Sequence, residues 1–482
     1  MFCVKHNAQE GLPQIRFLNV KPNDSFDYSI VLVRGEILNY THRRHRHGLS
    51  SVQIVNENIE GSIESAEIAS DGKFKVAVEL APGVNQLKFR FCCATHGISL
   101  IFDKRKNPRY LLRILYIICS NHDGHFQAPC DAETTVERAC EKIDLAIRLV
   151  QCLYAEMLTK HGFDRKSFEF IGCKPFHSSI SVEEARQWDQ NQLWQHHAKE
   201  ILAQESTEHR FKYFGILAST LCENGMVKGH AALGIGDVAL FGSGTLYAWP
   251  TNFATIQRCF QDETPVDTNQ LMDDSNGKNT YGGCFATALG SICHEIGHIF
   301  DLGHTTDGIM GNDIDYVNRI FTVENCPRDL PRRMASKCAS DRNADDKLNQ
   351  SNRRLTTIRK TNSILTNYHC RRNDDLTFLT ENCAILLNSH KWFNQFAEHA
   401  NESCIRCDIQ QKIIKSSLPL VLVEFRSKQN GMCMKYYRFD VTTSTPTMTS
   451  NVSSLRFTIP SDVIEQNYDL IAVDKNGNIM KC

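Results

Sequence analysis

His294 and His298 stand four residues apart, Glu295 lies beside the first of them, and His304 follows six residues after the second. On a helix, positions i and i+4 share a face, so two imidazoles at this spacing can close on one divalent cation. Zinc takes about four ligands, with imidazole nitrogens at roughly 2.0–2.1 Å. Three histidines therefore leave one position for water, which is the arrangement of a catalytic rather than a structural metal site. The expected cofactor is one Zn2+, with His294, His298 and His304 as ligands. Glu295 is the expected general base and acid, because it shares the helix without being needed as a ligand. Gly308-Ile309-Met310 comes soon after His304, and Met310 is expected to form an apolar floor beneath the imidazoles. Cys293 adjoins His294, but a residue at i−1 points away from the metal face and reads as core.

The elements that must position these groups are legible around them. The helix carrying the histidines starts near Tyr281-Gly282-Gly283 and buries Phe285, Leu289, Ile292, Ile296 and Ile299. Residues 229–249 interleave glycine with apolar residues, as an edge strand does where another backbone approaches closely. Their Gly-x-Gly triplets lack the GK[ST] or the full dinucleotide fingerprint that phosphate binding requires. Leu111–Cys119 and Lys212–Ala218 read as short buried strands. Thr134-x-x-Glu137 is a capping box opening a long helix whose apolar face runs through Val136, Ala139, Ile143, Ile147, Val150, Leu153 and Met157. Ser181-x-x-Glu184 caps a second helix, with Trp188, Trp194, Ile201 and Leu202 on its apolar side. Strands alternating with helices of this length imply a mixed α/β sheet.

Residues 1–107 alternate apolar and polar positions between Asp-Gly and Pro-Gly turns, as in Gly72–Leu80 and Asn85–Phe91, which predicts antiparallel hairpins in a sandwich. Their basic stretch His42–His47 reads as a solvated hairpin tip. Residues 323–376 are rich in Lys, Arg, Ser, Asn and Thr and read as a disordered insertion. A helix follows around Ala384–Phe393. Cys404-x-x-Cys407 lacks a second pair and is weak as a zinc or redox motif. Residues 409–482 return to strand patterns at 418–424, 434–440, 455–459 and 468–473, as a small β module.

The runs DGKF…LAPGVNQ, ILYIICSNHDGHFQAP (114–129), GHAALGIGDVALFGSGTLYAWP, the 294–304 stretch, DGIMGNDIDYVNRIF and SHKWFN (389–394) together resemble the eukaryotic zinc metallopeptidases of metzincin type, whose fungal members often carry a jacalin-like domain. The resemblance implies an α+β fold: a metzincin-like catalytic domain with a mixed twisted sheet, long helices and zinc on the active-site helix. This domain would occupy residues 108–408, flanked by an N-terminal Ig-like sandwich (1–107) and a C-terminal β-sandwich-like module (409–482). It implies a zinc metallopeptidase, expected to be an endopeptidase, with Met310 as the Met-turn methionine and the glycine-rich strand as the edge where substrate pairs. One position departs from HExxHxxGxxH: Asp301 stands where glycine is expected, and Gly303 follows. Asp tolerates left-handed backbone, so Asp301 can make the turn, with Gly303 sharing it, and orient a ligand; alternatively it ligates the metal itself. Tyr316 follows the Met-turn at a distance that favours packing, with an approach to the metal or oxyanion as the other reading.

Composition excludes several classes. The chain is 41% hydrophobic and 23% charged with net charge −1, as ordinary globular protein is, and no overall field favours nucleic acid. The longest apolar run is far short of the roughly 18 residues of a membrane span. The first residues show no apolar signal segment, so the expected location is cytoplasmic and the 20 cysteines are expected as thiols. The N-x-S/T triplets at Asn23, Asn39, Asn349, Asn401 and Asn451 then carry no glycan. The expected partner is a protein or peptide substrate, and the oligomeric state is not legible. Besides the peptidase, a zinc-containing scaffold without turnover and a non-peptide zinc amidase fit the same residues.

Overall fold

The computed structural model describes residues 12–40, 51–69, 71–205, 210–323, 377–395, 405–439, 455–460 and 468–482. The basic stretch 42–47, most of the segment read as an insertion, and Cys404 lie outside these residues. The architecture is mixed α+β. At its centre is a five-stranded sheet in the order Glu169–His177, Leu111–Ile118, Phe211–Leu217, Val238–Gly242, Ala232–Ile235. The first four strands run parallel and the last is an antiparallel edge. In Leu111–Ile118, Leu112, Ile114, Tyr116 and Ile118 point to one core, while Leu115 and Ile117 point to another. A strand with both faces buried must be apolar at nearly every position, which explains its unbroken run.

The first core is closed by two long helices, Val136–Thr159 and Tyr281–Ile299, which pack on one another and on the sheet. The second is closed by Gln190–Gln204. Two of the expected caps differ in detail. The long helix is capped by Thr135, whose hydroxyl accepts from Arg138 N, rather than by Thr134. The Ser181/Glu184 capping box opens only one turn, Val182–Ala185. A second capping box, Asp189 with Gln192, then starts a separate helix. Asp189 is extended there, so one helix cannot run through it, and Leu202 is left 41% exposed.

On the N-terminal side, a three-stranded sheet (Gln14–Phe17, Ile30–Leu38, Lys73–Glu79) faces a five-stranded one running Asp24–Phe26, Ala94–Phe102, Gly83–Phe91, Ser51–Asn56, Glu64–Glu67. Phe17 of the first meets Phe89 of the second at 4.8 Å between ring centroids. Arg148 of the long helix donates to Ser29 Oγ at 2.9 Å and pairs with Glu79, and Arg165 donates to the Asn19 carbonyl at 2.7 Å. These contacts fix the N-terminal sheets to the central layer.

On the C-terminal side, a three-stranded sheet (Ile405–Asp408, Ile413–Ser416, Arg456–Thr458) and a four-stranded one (Cys433–Arg438, Leu420–Arg426, Asp469–Asp474, Ile479–Lys481) share a core of Ile414, Val423, Phe425, Phe457 and Leu470. The helix Glu381–Ser389 packs on Leu420–Arg426, and Asn382 Nδ2 donates to Glu424 Oε1 at 2.8 Å. Among the described residues no helix is long and apolar enough to cross a membrane. Their cysteines are free thiols, from buried Cys152 to exposed Cys93.

Candidate metal centre

The helix Tyr281–Ile299 begins at Thr280, whose hydroxyl accepts from Gly283 N at 3.1 Å. It ends in a Schellman turn: Asp301 N donates to His298 O at 3.0 Å and Leu302 N donates to Gly297 O at 3.0 Å. The residue between these bonds must take left-handed backbone, and Asp301 does, with φ 66°. That turn reverses the chain within six residues and brings His304 back onto the face of His294 and His298. Gly303 does not share it, since it is absent from the positive-φ residues. Its role is close approach: a Cβ there would lie 2.6 Å from Arg426 Nε and 2.8 Å from Gly431 O.

The three imidazoles converge. His298 Nε2 lies 3.0 Å from His294 Nε2 and 3.1 Å from His304 Nε2. Each Nδ1 meets a backbone carbonyl: Ile309 O for His294 at 2.8 Å, Leu302 O for His298 at 3.0 Å and Asn430 O for His304 at 2.5 Å. A carbonyl can only accept, so each neutral ring carries its proton on Nδ1 and turns a bare lone pair inward. No hydrogen bond can then join the three Nε2 atoms, and three facing lone pairs call for a cation. A tetrahedron with bonds of about 2.0–2.1 Å has edges of about 3.3 Å, close to the observed spacing. Burial pushes His294 down to about 4 and His298 down to about 3, so both are unprotonated at neutral pH. The rings are only partly buried, so the cluster is open to solvent on one side.

Glu295 is buried against the edge strand, where the Gly234 N–H hydrogen-bonds its carboxylate. Burial pushes it up to about 7, with that hydrogen bond pulling the other way. Gly234 is required at this point, because a Cβ would lie 2.3 Å from Glu295 O and 3.1 Å from His298 Cβ. Met310 is buried under the helix, its sulfur 2.5 Å from where a Gly297 Cβ would stand. The loop carrying it is the loop whose Ile309 carbonyl holds His294. Cys293 is buried, its carbonyl accepting from Tyr154 OH at 2.5 Å.

The Asp301 carboxylate is engaged elsewhere: Oδ2 lies 3.2 Å from His390 Nε2 and Oδ1 lies 2.5 Å from Lys481 Nζ. It belongs to the turn and to a polar cluster with His390 and Lys481, and among the described residues the three convergent donors are the histidines. These contacts hold its carboxyl well below the usual range: burial works against ionisation, and the His390 hydrogen bond with the Lys212 and Lys481 charges outweighs it. Tyr316 is buried with Lys278 Nζ 4.1 Å and Arg319 Cζ 4.3 Å from its ring centroid.

Several contributors had no local sequence signal. Arg426 NH2 donates to Asp301 O at 2.8 Å, its Nε bonding Glu424 at 2.8 Å, so the end of the histidine helix is capped from the C-terminal sheet. His304 N donates to Gly431 O at 3.1 Å and Cys433 N to His304 O at 2.9 Å, which makes His304 a bridge partner of that sheet. His390 lies in the run SHKWFN, where nothing pointed to a role.

A family model described as "Putative peptidase family" matches residues 14–387. Two fungal proteins named "Putative zinc metalloproteinase" are similar to this chain. The one from Saccharomyces cerevisiae is 25% identical over 299 residues, covering 52% of this chain and 42% of its own. The one from Schizosaccharomyces pombe is 25% identical over 315 residues, covering 58% and 50%. The matched region thus spans about half the length of these relatives or less. A solved structure of catalytically inactive OgpA from Akkermansia muciniphila, in complex with an O-glycopeptide substrate, is 12% identical over 78% of this chain and 92% of that one, at a TM-score of 0.39. That score is too low to define a common fold.

Proposed function

This chain belongs to the putative peptidase family, and we propose that it is a zinc-dependent metallopeptidase, hydrolysing peptide bonds at the centre formed by His294, His298 and His304. The observation that carries the reading is the convergence of three Nε2 atoms, with that of His298 3.0 and 3.1 Å from the other two, each turned inward by a carbonyl at Nδ1. Zinc held there would supply a Lewis acid for the scissile carbonyl and lower the pKa of water. The chain's own residues do the rest. Glu295, beside the metal face and not a ligand, takes the proton of the attacking water at its carboxylate and returns it to the leaving amine. The antiparallel strand Ala232–Ile235 is the edge of the sheet, where an extended peptide can add as a further strand beside the Gly234 N–H that Glu295 already engages. Met310 gives the imidazoles an apolar floor.

The finer architecture is part of the same proposal: a metzincin-like catalytic domain with a Met-turn at Met310, between two β-sandwich-like modules. The test is a peptide-library digest by wild type and Glu295→Gln, with zinc content measured on both. The expected result is about one catalytic zinc in each and a loss of turnover on the order of 10²–10⁴-fold in the variant. Zinc without cleavage by the wild type would overturn the peptidase and leave a zinc-containing scaffold. Cleavage of amides but not of peptides would turn the reading to an amidase.

A further inference from the structure

We infer that the helix Gln190–Gln204 carries a second metal site, formed by His196, His197 and Glu200 and suited to a divalent transition ion such as Zn2+. His196 and Glu200 stand at i and i+4, and His197 and Glu200 at i and i+3, so Glu200 neighbours both imidazoles, which themselves point about 100° apart around the helix. His196 Nε2 lies 3.2 Å from Glu200 Oε2, and His197 Nδ1 lies 3.7 Å from the same oxygen. The three donor atoms fall within 4.8 Å of one another. Two imidazoles and a carboxylate are borderline-hard donors of the kind zinc accepts.

The second observation is what these atoms lack. His197 is fully buried, yet neither of its ring nitrogens makes a well-aligned hydrogen bond, and His196 Nε2, although 3.2 Å from Glu200 Oε2, makes none either. A buried unpaired polar group is costly, and native proteins keep few of them. A cation at the centre of the triangle would satisfy His196 Nε2 and His197 Nδ1 at once. The carboxylate is held in place as ligands usually are by outer partners. Ser178 Oγ donates to Glu200 Oε2 at 2.5 Å, and Ser179 donates to Oε1 through Oγ at 2.5 Å and N at 2.9 Å. Protonation states agree with this. Burial keeps His197 neutral. Glu200 is held well below the usual carboxyl range, its burial outweighed by the neighbouring His197 imidazole and by hydrogen bonds from the two serines. The His196 side chain is 27% exposed, which gives an ion a way in.

The site is distinct from the three-histidine centre but mechanically near it. Its helix packs on both Ala232–Ile235 and Val238–Gly242, and Trp194 Nε1 donates to Val238 O at 3.0 Å. An ion on this helix would stiffen the support of the strand that touches Glu295. The rival is an ordinary ion pair between a protonated His196 and Glu200, which needs no metal.

The experiment uses the full chain as wild type, His196→Ala, Glu200→Gln and His298→Ala, loaded with zinc, desalted and analysed for metal per chain. Nickel quenching of tryptophan fluorescence is read in parallel, because the Trp188 ring lies 5.3 Å from that of His196. The expected result is one zinc equivalent fewer in His196→Ala and in Glu200→Gln than in wild type, with a saturable quench lost in both and kept in His298→Ala. Using the difference between variants removes any zinc held by thiols. His196 is partly exposed and glutamine keeps the shape of Glu200, so circular dichroism should show either variant folded. Equal zinc and equal quenching in wild type and the folded variants would overturn the site. The separate loss of one equivalent in His298→Ala reports on the three-histidine centre, so either site can fail without the other.

Discussion

The carbonyl oxygen of Asn430 accepts from His304 Nδ1 at 2.5 Å, across 126 residues of chain. His298 is held by its own helix end and His294 by the next loop, but His304 depends on a hairpin of the C-terminal sheet. That hairpin lies beyond the residues 14–387 that the family model matches. The third donor is thus oriented by a part of the molecule that the catalytic signature does not include.

The first prediction tests this dependence. Gly431 has φ 66° and supports the turn that presents the Asn430 carbonyl. A β-branched residue there is strained by roughly 1–3 kcal/mol. Gly431→Val should shift the carbonyl and weaken zinc binding by about 10–100-fold, as loss of a ligand's outer partner does. Competition with a chelator measures it, and affinity equal to wild type would show that His304 needs no support from this hairpin.

The second prediction concerns Asp301. Asp301→Gly restores the glycine of the general signature and fits φ 66°, yet it removes a carboxylate that is 13% exposed beside a 2% exposed His390. Burial holds His390 below its usual range and Lys481 is 55% exposed, so what is lost is hydrogen bonding to a buried carboxylate, about 1.5–3 kcal/mol, against about 1 kcal/mol relieved in the backbone. Asp301→Gly should therefore destabilise the protein. Asp301→Asn, which keeps left-handed tolerance and a short polar side chain, should lose less. Urea unfolding of the three proteins gives the order, and a glycine variant as stable as wild type would mean the carboxylate contributes nothing.

The third prediction follows from the contact between strand and helix. An alanine at 234 would press on Glu295 O, while nothing lies within 4 Å of a Cβ at Gly236. Gly234→Ala should cost roughly 1–3 kcal/mol of stability as overpacking. It should also lower peptide cleavage by at least about tenfold, since misplacing a reacting group by about 1 Å can cost 10²-fold. Gly236→Asn, whose left-handed backbone asparagine tolerates, should change little in either assay.

The features that could be read in the sequence are those set by local periodicity. The histidine spacing and the apolar face of Tyr281–Ile299 follow from a repeat of 3.6 residues, and the doubly buried strand Leu111–Ile118 from its unbroken apolar run. The pattern after Ser181 suggests one helix where there are two, because Ser181 and Asp189 carry competing caps eight residues apart and only packing decides that the chain breaks between them. Gly303 looked like part of a turn, but its reason is Arg426 and Gly431, more than a hundred residues away. Nothing local to Asn430, His390 or Lys481 announces that they converge on the end of the histidine helix. Contacts between separate sheets leave no periodic trace.

The last prediction is a pH dependence. His230 is half-buried beside Phe241, its buried Nδ1 has no hydrogen-bond partner, and desolvation pushes it down to about 4. In the unfolded chain a histidine titrates near 6.5. A group depressed on folding contributes stability that is intact above its unfolded pKa and is lost as pH falls towards the folded one. Between pH 6.5 and about 4 the unfolded chain takes up a proton that folded His230 refuses, so stability must fall across that window. The contribution lost by pH 5 is about 2 kcal/mol. His390, also depressed by burial although Asp301 opposes it, titrates in the same sense. His230→Gln removes one of these protons without touching the metal ligands. Whatever its stability at pH 7.5, its urea unfolding free energy should fall less than that of wild type between pH 7.5 and pH 5, both measured with chelator present. Parallel pH dependences in the two proteins would show that His230 is already protonated, or solvated, in the folded state.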